Sequence, residues 1–249
     1  MVEPVNPGAL RSKIELKLHT YHAVRIWWGR GVESGRPQII GMRQYLALAG
    51  RIQQAAAIDD PYADFWMLAI DRRIEETRRI LEPLLEQTKA ILASIPEELT
   101  VEDNVSQKPF TTGVYPGGQQ GWLGIHVLIQ YDRVVRNILL TQHVALITRR
   151  QANQMLVSAS KAIRSLCECT RRYPGPSGTT RDDFAANNAR ARAAIERFGE
   201  LPKAVLEGTQ RSPFAPLIRK PSQKASSEEA EELMQQDVLE DQASKAEDP

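Results

Sequence analysis

The sequence predicts a mainly α fold with a small β component: a helical bundle carrying an N-terminal β-strand. Three observations predict it. Apolar residues recur at helical spacing through most of residues 40–198. Caps and breakers punctuate that stretch at Asp60-Pro61, Thr148 and Thr180. One short segment near the N-terminus alternates with period two instead. With 249 residues, 42% hydrophobic and 25% charged, the chain has ample material for a core without disulfide or metal staples.

Residues 1–10 hold Pro4, Pro7 and Gly8 and read as an irregular arm. A single domain over 11–219 follows. In Ser12–Thr20 the apolar Ile14, Leu16 and Leu18 alternate with Lys13, Glu15, Lys17 and His19, which predicts a strand with one dry and one charged face. Its partner is expected to be either a short strand over Leu99–Val105 or the same strand of a second chain. Tyr21–Trp28 either extends the strand or starts a short helix, and Gly29 through Pro37 is a loop.

Ile40–Ile58 fits a helix. Asp60 caps the next one, with Pro61 at its first position, and that helix runs to about Ser94 along Phe65, Leu68, Ile70, Ile74, Leu81, Leu84, Leu85, Thr88 and Leu92. Pro83 is expected to kink or split it. Gln107–Gly121 reads as a long loop, and Trp122–Ile147 as a helix. Thr148 and Gln151 have capping-box spacing and open a helix ending near Tyr173. Thr180 caps a last helix over Arg181–Phe198, stopped by Gly199, and Leu201–Pro216 is an extended closing segment.

The net charge of +1 hides an asymmetry. Residues 220–249 carry three basic and nine acidic side chains, whereas residues 1–51 carry eight basic and three acidic. The acidic tail lacks the apolar content to offset its ordering entropy and is expected to be mostly disordered, with a marginal helix over Glu228–Glu240 at most. The basic head suits a polyanion or is ordinary surface scatter.

A search for chemistry returns no catalytic set. Cys167 and Cys169 lie two apart on a helix and do not clamp a metal as a C-x-x-C pair does. His19, His22, His126 and His143 form no metal-ligand spacing. Gly117–Gly121 precedes a helix but lacks the Lys-Ser/Thr of a phosphate-binding loop. Asp59-Asp60 and Asp182-Asp183 read as helix starts. We therefore expect a non-enzyme with no cofactor, no metal, no small-molecule substrate and no membrane span. Neither a basic n-region nor an apolar h-region opens the sequence, so a cytoplasmic location is expected.

One mechanistic pattern stands out. A two-stranded antiparallel ribbon fits the DNA major groove if one face is apolar and the other polar. Lys13, Glu15, Lys17 and His19 would read bases, and Arg11, Arg25 and Arg30 would reach phosphates. The other reading is an ordinary amphipathic edge strand blunted by lysines. The stretch Thr20–Ile39, with no clear helix, departs from a minimal ribbon-helix-helix module.

Three segments together resemble a known family. They are Pro7–Ser12 with Leu16–Thr20, then Asp59–Asp64, then Thr180–Asp183 through Asn187–Ala191 and on to Gly199–Pro202 and Val205–Gly208. The resemblance, over roughly 7–218, is to proteins encoded on integrating conjugative elements of proteobacteria, related to AcaB-type activators of conjugative transfer genes. It implies a dimeric DNA-binding regulator with a ribbon-helix-helix-like element, in which Lys13, Glu15, Lys17 and His19 match the reading strand. The alternative is a non-enzymatic structural or interaction protein of conjugative transfer or element maintenance. Asn188–Arg190 acquires no role beyond capping or packing.

Overall fold

A computed structural model describes residues 12–31, 35 and 37–218. The expected arm at 1–10, Arg11 and the acidic tail lie outside the described residues. The folded unit ends at Pro216.

The order is β1 (Glu15–Leu18), α1 (Tyr21–Trp28), α2 (Met42–Ala57), α3 (Pro61–Leu92), β2 (Phe110–Gly113), α4 (Gln119–His143), α5 (Arg149–Cys169), α6 (Arg181–Ala185), α7 (Ala189–Phe198) and α8 (Lys203–Leu206). The predicted class holds: helices dominate, and the described sheet has two strands.

α3, α4 and α5 pack on one another, and α2 lies against all three. Tyr45 and Ile52 of α2, Met67, Ile70 and Leu81 of α3, Leu128, Tyr131 and Ile138 of α4, and Ile163 and Leu166 of α5 are fully buried. Gly124 lets α4 approach α2 closely, because a Cβ there would run into the Tyr45 ring. On α3 the inner face is Met67, Ile70, Ile74, Thr77, Leu81, Leu85 and Thr88; the expected Phe65, Leu68, Leu84 and Leu92 are half-buried shoulders of it.

Several expectations are corrected. β1 is shorter than Ser12–Thr20, and Ile14 is exposed rather than part of its dry face. β1 pairs with β2 of its own chain and not with Leu99–Val105. Leu99, Val101 and Val105 are exposed and form no strand, while β2 emerges inside the segment read as a loop. Thr20–Ile39 does contain a helix. The Thr20 hydroxyl accepts from Ala23 N at 3.1 Å and starts α1 two residues after β1 ends. Strand, helix and second helix therefore follow in close succession. Gly29, in the left-handed region at φ 72°, ends α1, and its backbone touches that of Gly41 so closely that neither position has room for a Cβ.

Pro83 does not split α3. It lies on the exposed face, where the carbonyl of Arg79 that it leaves without an intrahelical donor can turn to water. α4 stops at His143 rather than Ile147, and α5 at Cys169 rather than Tyr173. The capping box of α5 is present: Gln151 N donates to the Thr148 hydroxyl at 3.3 Å and Thr148 N to Gln151 Oε1 at 2.9 Å. The single helix expected over Arg181–Phe198 is two. Asn187 turns the chain at φ 46°, and the Asn188 side chain caps α7 by accepting from Ala191 N at 3.0 Å. The closing segment contains α8 and is not wholly extended.

Candidate nucleic-acid interface

β1 and β2 pair antiparallel, with Glu15 opposite Gly113, Leu16 opposite Thr112, Lys17 opposite Thr111 and Leu18 opposite Phe110. Alternation then sorts the side chains. Leu16 and Leu18 are buried in the main core. Lys13, Glu15, Lys17 and Thr111 are exposed on the other face. Tyr115 follows β2, is 85% exposed, and lies near enough to act on the Lys13 ammonium.

The ribbon is held at the end where β1 leaves it and β2 enters it, Leu18 being opposite Phe110. Phe110 meets Trp28 edge-on at 6.0 Å, and Arg43 lies 5.9 Å above the other ring of that pair, Trp28. At the exit of β1, the buried carboxylate of Asp132 in α4 accepts from His19 N at 3.1 Å, Thr20 N at 2.9 Å and the Thr20 hydroxyl at 2.7 Å. One side chain thus fixes the junction between strand and helix.

The charges on the outer face are unequal. Lys13 Nζ sits 2.8 Å from Glu15 Oε1. That hydrogen bond holds the ammonium above its usual pKa and the carboxyl below its own. Lys17 makes no ion pair among the described residues, so its charge is the more available of the two.

The other sequence candidates separate. His19 is half-buried past the end of β1, and its Nδ1 is buried without a hydrogen-bond partner. Arg25 is exposed on α1, 5.9 Å over the Tyr21 ring. Arg30 spends its guanidinium on its own loop: Nε and Nη2 both donate to the Pro37 carbonyl, at 3.1 and 2.9 Å, while its backbone bridges Ile39. The structure brings Lys13, Glu15 and Lys17 together on one face. Sequence reasoning missed the β2 side of it, Thr111 and Tyr115, because Phe-Thr-Thr-Gly is too short to show alternation.

The remaining chemistry is sparse. Cys167 is buried, and burial pushes the half-buried Cys169 thiol up to about 12. No group of three or more His, Cys, Asp or Glu that would hold a metal occurs among the described residues. No described helix is long and apolar enough to cross a membrane. His126 and His143 are exposed.

Comparison with known proteins gives two findings. The family described as "AcaB: Transcriptional regulator AcaB" matches residues 6–219. A solved structure, the selenomethionine-containing AcaB from uropathogenic E. coli, superposes with a TM-score of 0.50 at 12% identity, covering 80% of this chain and 98% of that one. At that identity the likeness speaks for the fold. No curated protein matches the sequence.

Proposed function

The chain belongs to the AcaB family of transcriptional regulators, and from that premise we propose that it regulates transcription by laying the outer face of the β1–β2 ribbon on DNA. One observation carries the reading. The strand that the family resemblance marks as the reading strand sinks Leu16 and Leu18 into the core and turns Lys13, Glu15 and Lys17 outward. That is the division a groove-binding ribbon needs. Lys17 would donate to guanine O6/N7, and Glu15 would accept from cytosine N4. Thr111 and Tyr115 extend the same face from the other strand. Arg25 would reach phosphates; Arg30 serves first as the clip of its loop; Arg11 lies outside the described residues.

The setting we propose is an integrating conjugative element, with the protein acting as a cytoplasmic homodimer. Each protomer supplies a complete ribbon, so a dimer presents two ribbons to two half-sites about one helical turn apart.

The test is binding to the element's promoter fragments across a salt series, with an unrelated fragment as control. Tight, fragment-selective binding with a steep salt slope is expected. Lys17→Ala should weaken selective binding by about 1–3 kcal/mol and leave the unfolding midpoint unchanged. Equal affinity for both fragments, or full affinity in the variant, would remove the ribbon reading.

A further inference from the structure

We propose that the outward face of α5, from Arg149 to Lys161, is a second DNA-contacting surface that seats in a groove of the duplex. The choice of DNA as its ligand rests on the proposed function; the surface itself rests on α5.

Helical spacing sorts the side chains of α5. The helix packs on α3 and α4 and buries Ala152, Leu156, Ala159 and Ile163. The Tyr131 hydroxyl of α4, 2.8 Å from the Ser160 hydroxyl, fixes which way α5 is turned. Outward stand Arg149, Arg150, Asn153, Gln154, Val157 and Ser158, which together line one open hollow of about 660 Å³. Lys161 continues the exposed face by one turn. At 1.5 Å per residue the face runs for about 18 Å along the helix. None of these polar side chains makes a hydrogen bond or ion pair among the described residues. Val157, in the middle, is 67% exposed and leaves an apolar spot among cations and amides.

The charge is one-sided. Between Gln119 and Cys167 the one acidic residue is Asp132, which is buried and engaged at the junction of β1 and α1. The same stretch holds Arg133, Arg136, Arg149, Arg150, Lys161 and Arg164. Arg149 and Arg150 open α5, and its first turn holds no acid. Cations at that end oppose the helix dipole. Helix stability therefore does not account for them, and neither does any contact within the described fold.

Charge complementarity selects the occupant. A second copy meeting this face with its own would set cation against cation. A polyanion removes that repulsion, and duplex DNA also uses the rest of the face. Its major groove admits an α-helix. There an arginine fork matches guanine O6/N7, an Asn or Gln amide matches adenine N6/N7, and an apolar group meets the thymine methyl. Arg149 or Arg150, Asn153 or Gln154, and Val157 supply all three within three turns of one helix. An acidic protein would answer the cations alone; the amides and the apolar spot among them favour the duplex.

The experiment compares the full-length wild type with Arg149→Gln/Arg150→Gln, Asn153→Ala/Gln154→Ala, Val157→Glu and, for the ribbon, Lys17→Ala. Circular dichroism and gel filtration check that fold and mass are unchanged. Binding to the promoter fragment and to an unrelated duplex is then measured. The arginine pair and Val157→Glu should each lose roughly tenfold or more in affinity for the promoter fragment, and the amide pair should narrow the ratio between the two duplexes. Wild-type affinity in both the arginine pair and Val157→Glu overturns the α5 surface; if Lys17→Ala loses affinity in the same assay, the ribbon reading stands without it. Loss in the α5 variants with full affinity in Lys17→Ala upholds α5 and removes the ribbon. A variant that loses affinity together with dimer mass assigns the face to a second copy and overturns the inference. Binding of the wild type to neither duplex overturns both readings and leaves an acidic protein as the occupant of the face.

Discussion

Asp132 and Arg181 show how single side chains decide where elements sit. Asp132 is buried in α4, yet it satisfies two backbone amides and a hydroxyl at the junction of β1 and α1. Removing it leaves those donors buried and unpaired. Asp132→Ala is expected to lower unfolding free energy by about 2–3 kcal/mol in urea titration, and to slacken the ribbon's base. Arg181 is the hub of a second cluster. It pairs with Asp59, with the fully buried Asp64 at 2.5 Å, and with the Val205 carbonyl at 3.0 Å through the same Nη2. Arg211 also serves Asp64, at 2.8 Å. Arg181→Ala strands two carboxylates, one partly compensated by Arg211, and should cost about 3 kcal/mol. Asp60 adds a tie from the same corner, accepting from Ser177 N at 2.6 Å and the Ser177 hydroxyl at 2.8 Å. The sequence showed Asp60 as a cap, which it is. It did not show that Asp59, Asp60 and Asp64 fasten residues 177–211 to the start of α3, because partners more than a hundred residues away leave no local pattern.

Elements were legible in proportion to their length and the strength of their ends. α2, α3, α4 and α5 each bury a long helical stripe, and the caps at Asp60 and Thr148 mark two starts sharply. β2 escaped notice because four residues, half of them threonine, do not outweigh the Pro and Gly around them. The break between α6 and α7 was hidden for the opposite reason. Helical spacing continues across it, and only the Asn187-Asn188 pair signals a turn followed by a cap. Pro83 is a third case, in which the sequence signal was real and its consequence was absorbed. α3 continues through it with Leu81 and Leu85 buried on the inner side. An interior proline costs a helix up to about 3 kcal/mol relative to alanine. At this exposed position nothing in the core needs the ring. Pro83→Ala should therefore stabilise the protein by about 1–3 kcal/mol, read as a higher urea midpoint with unchanged slope. A lower midpoint would mean that α3 needs a bend at this point.

At the scale of the whole molecule, the decisive feature is that both strands of the ribbon belong to one chain. A ribbon built from two chains couples strand pairing to dimerisation, so neither surface exists in the monomer. Here β1 finds β2 across nearly a hundred residues, and Leu16 and Leu18 in the core, with Phe110 against Trp28 of α1, anchor the pair. The outer face of the ribbon therefore needs no second copy to form. This has a covalent test. Lys17 and Thr111 are directly opposite on the exposed face, where paired Cβ atoms in an antiparallel ribbon lie about 4.5–5.5 Å apart. Small backbone adjustment brings that within disulfide reach. Lys17→Cys with Thr111→Cys, in a background where Cys167 and Cys169 are replaced by serine, should oxidise to a species of monomer mass on a non-reducing gel. Its yield should not depend on protein concentration. A covalent dimer whose yield rises with concentration would place the partner strand in a second chain. The cross-linked monomer also separates folding from binding. If the affinity left to this Lys17-lacking variant is the same in its oxidised and reduced forms, a ribbon closed within one chain is sufficient for contact.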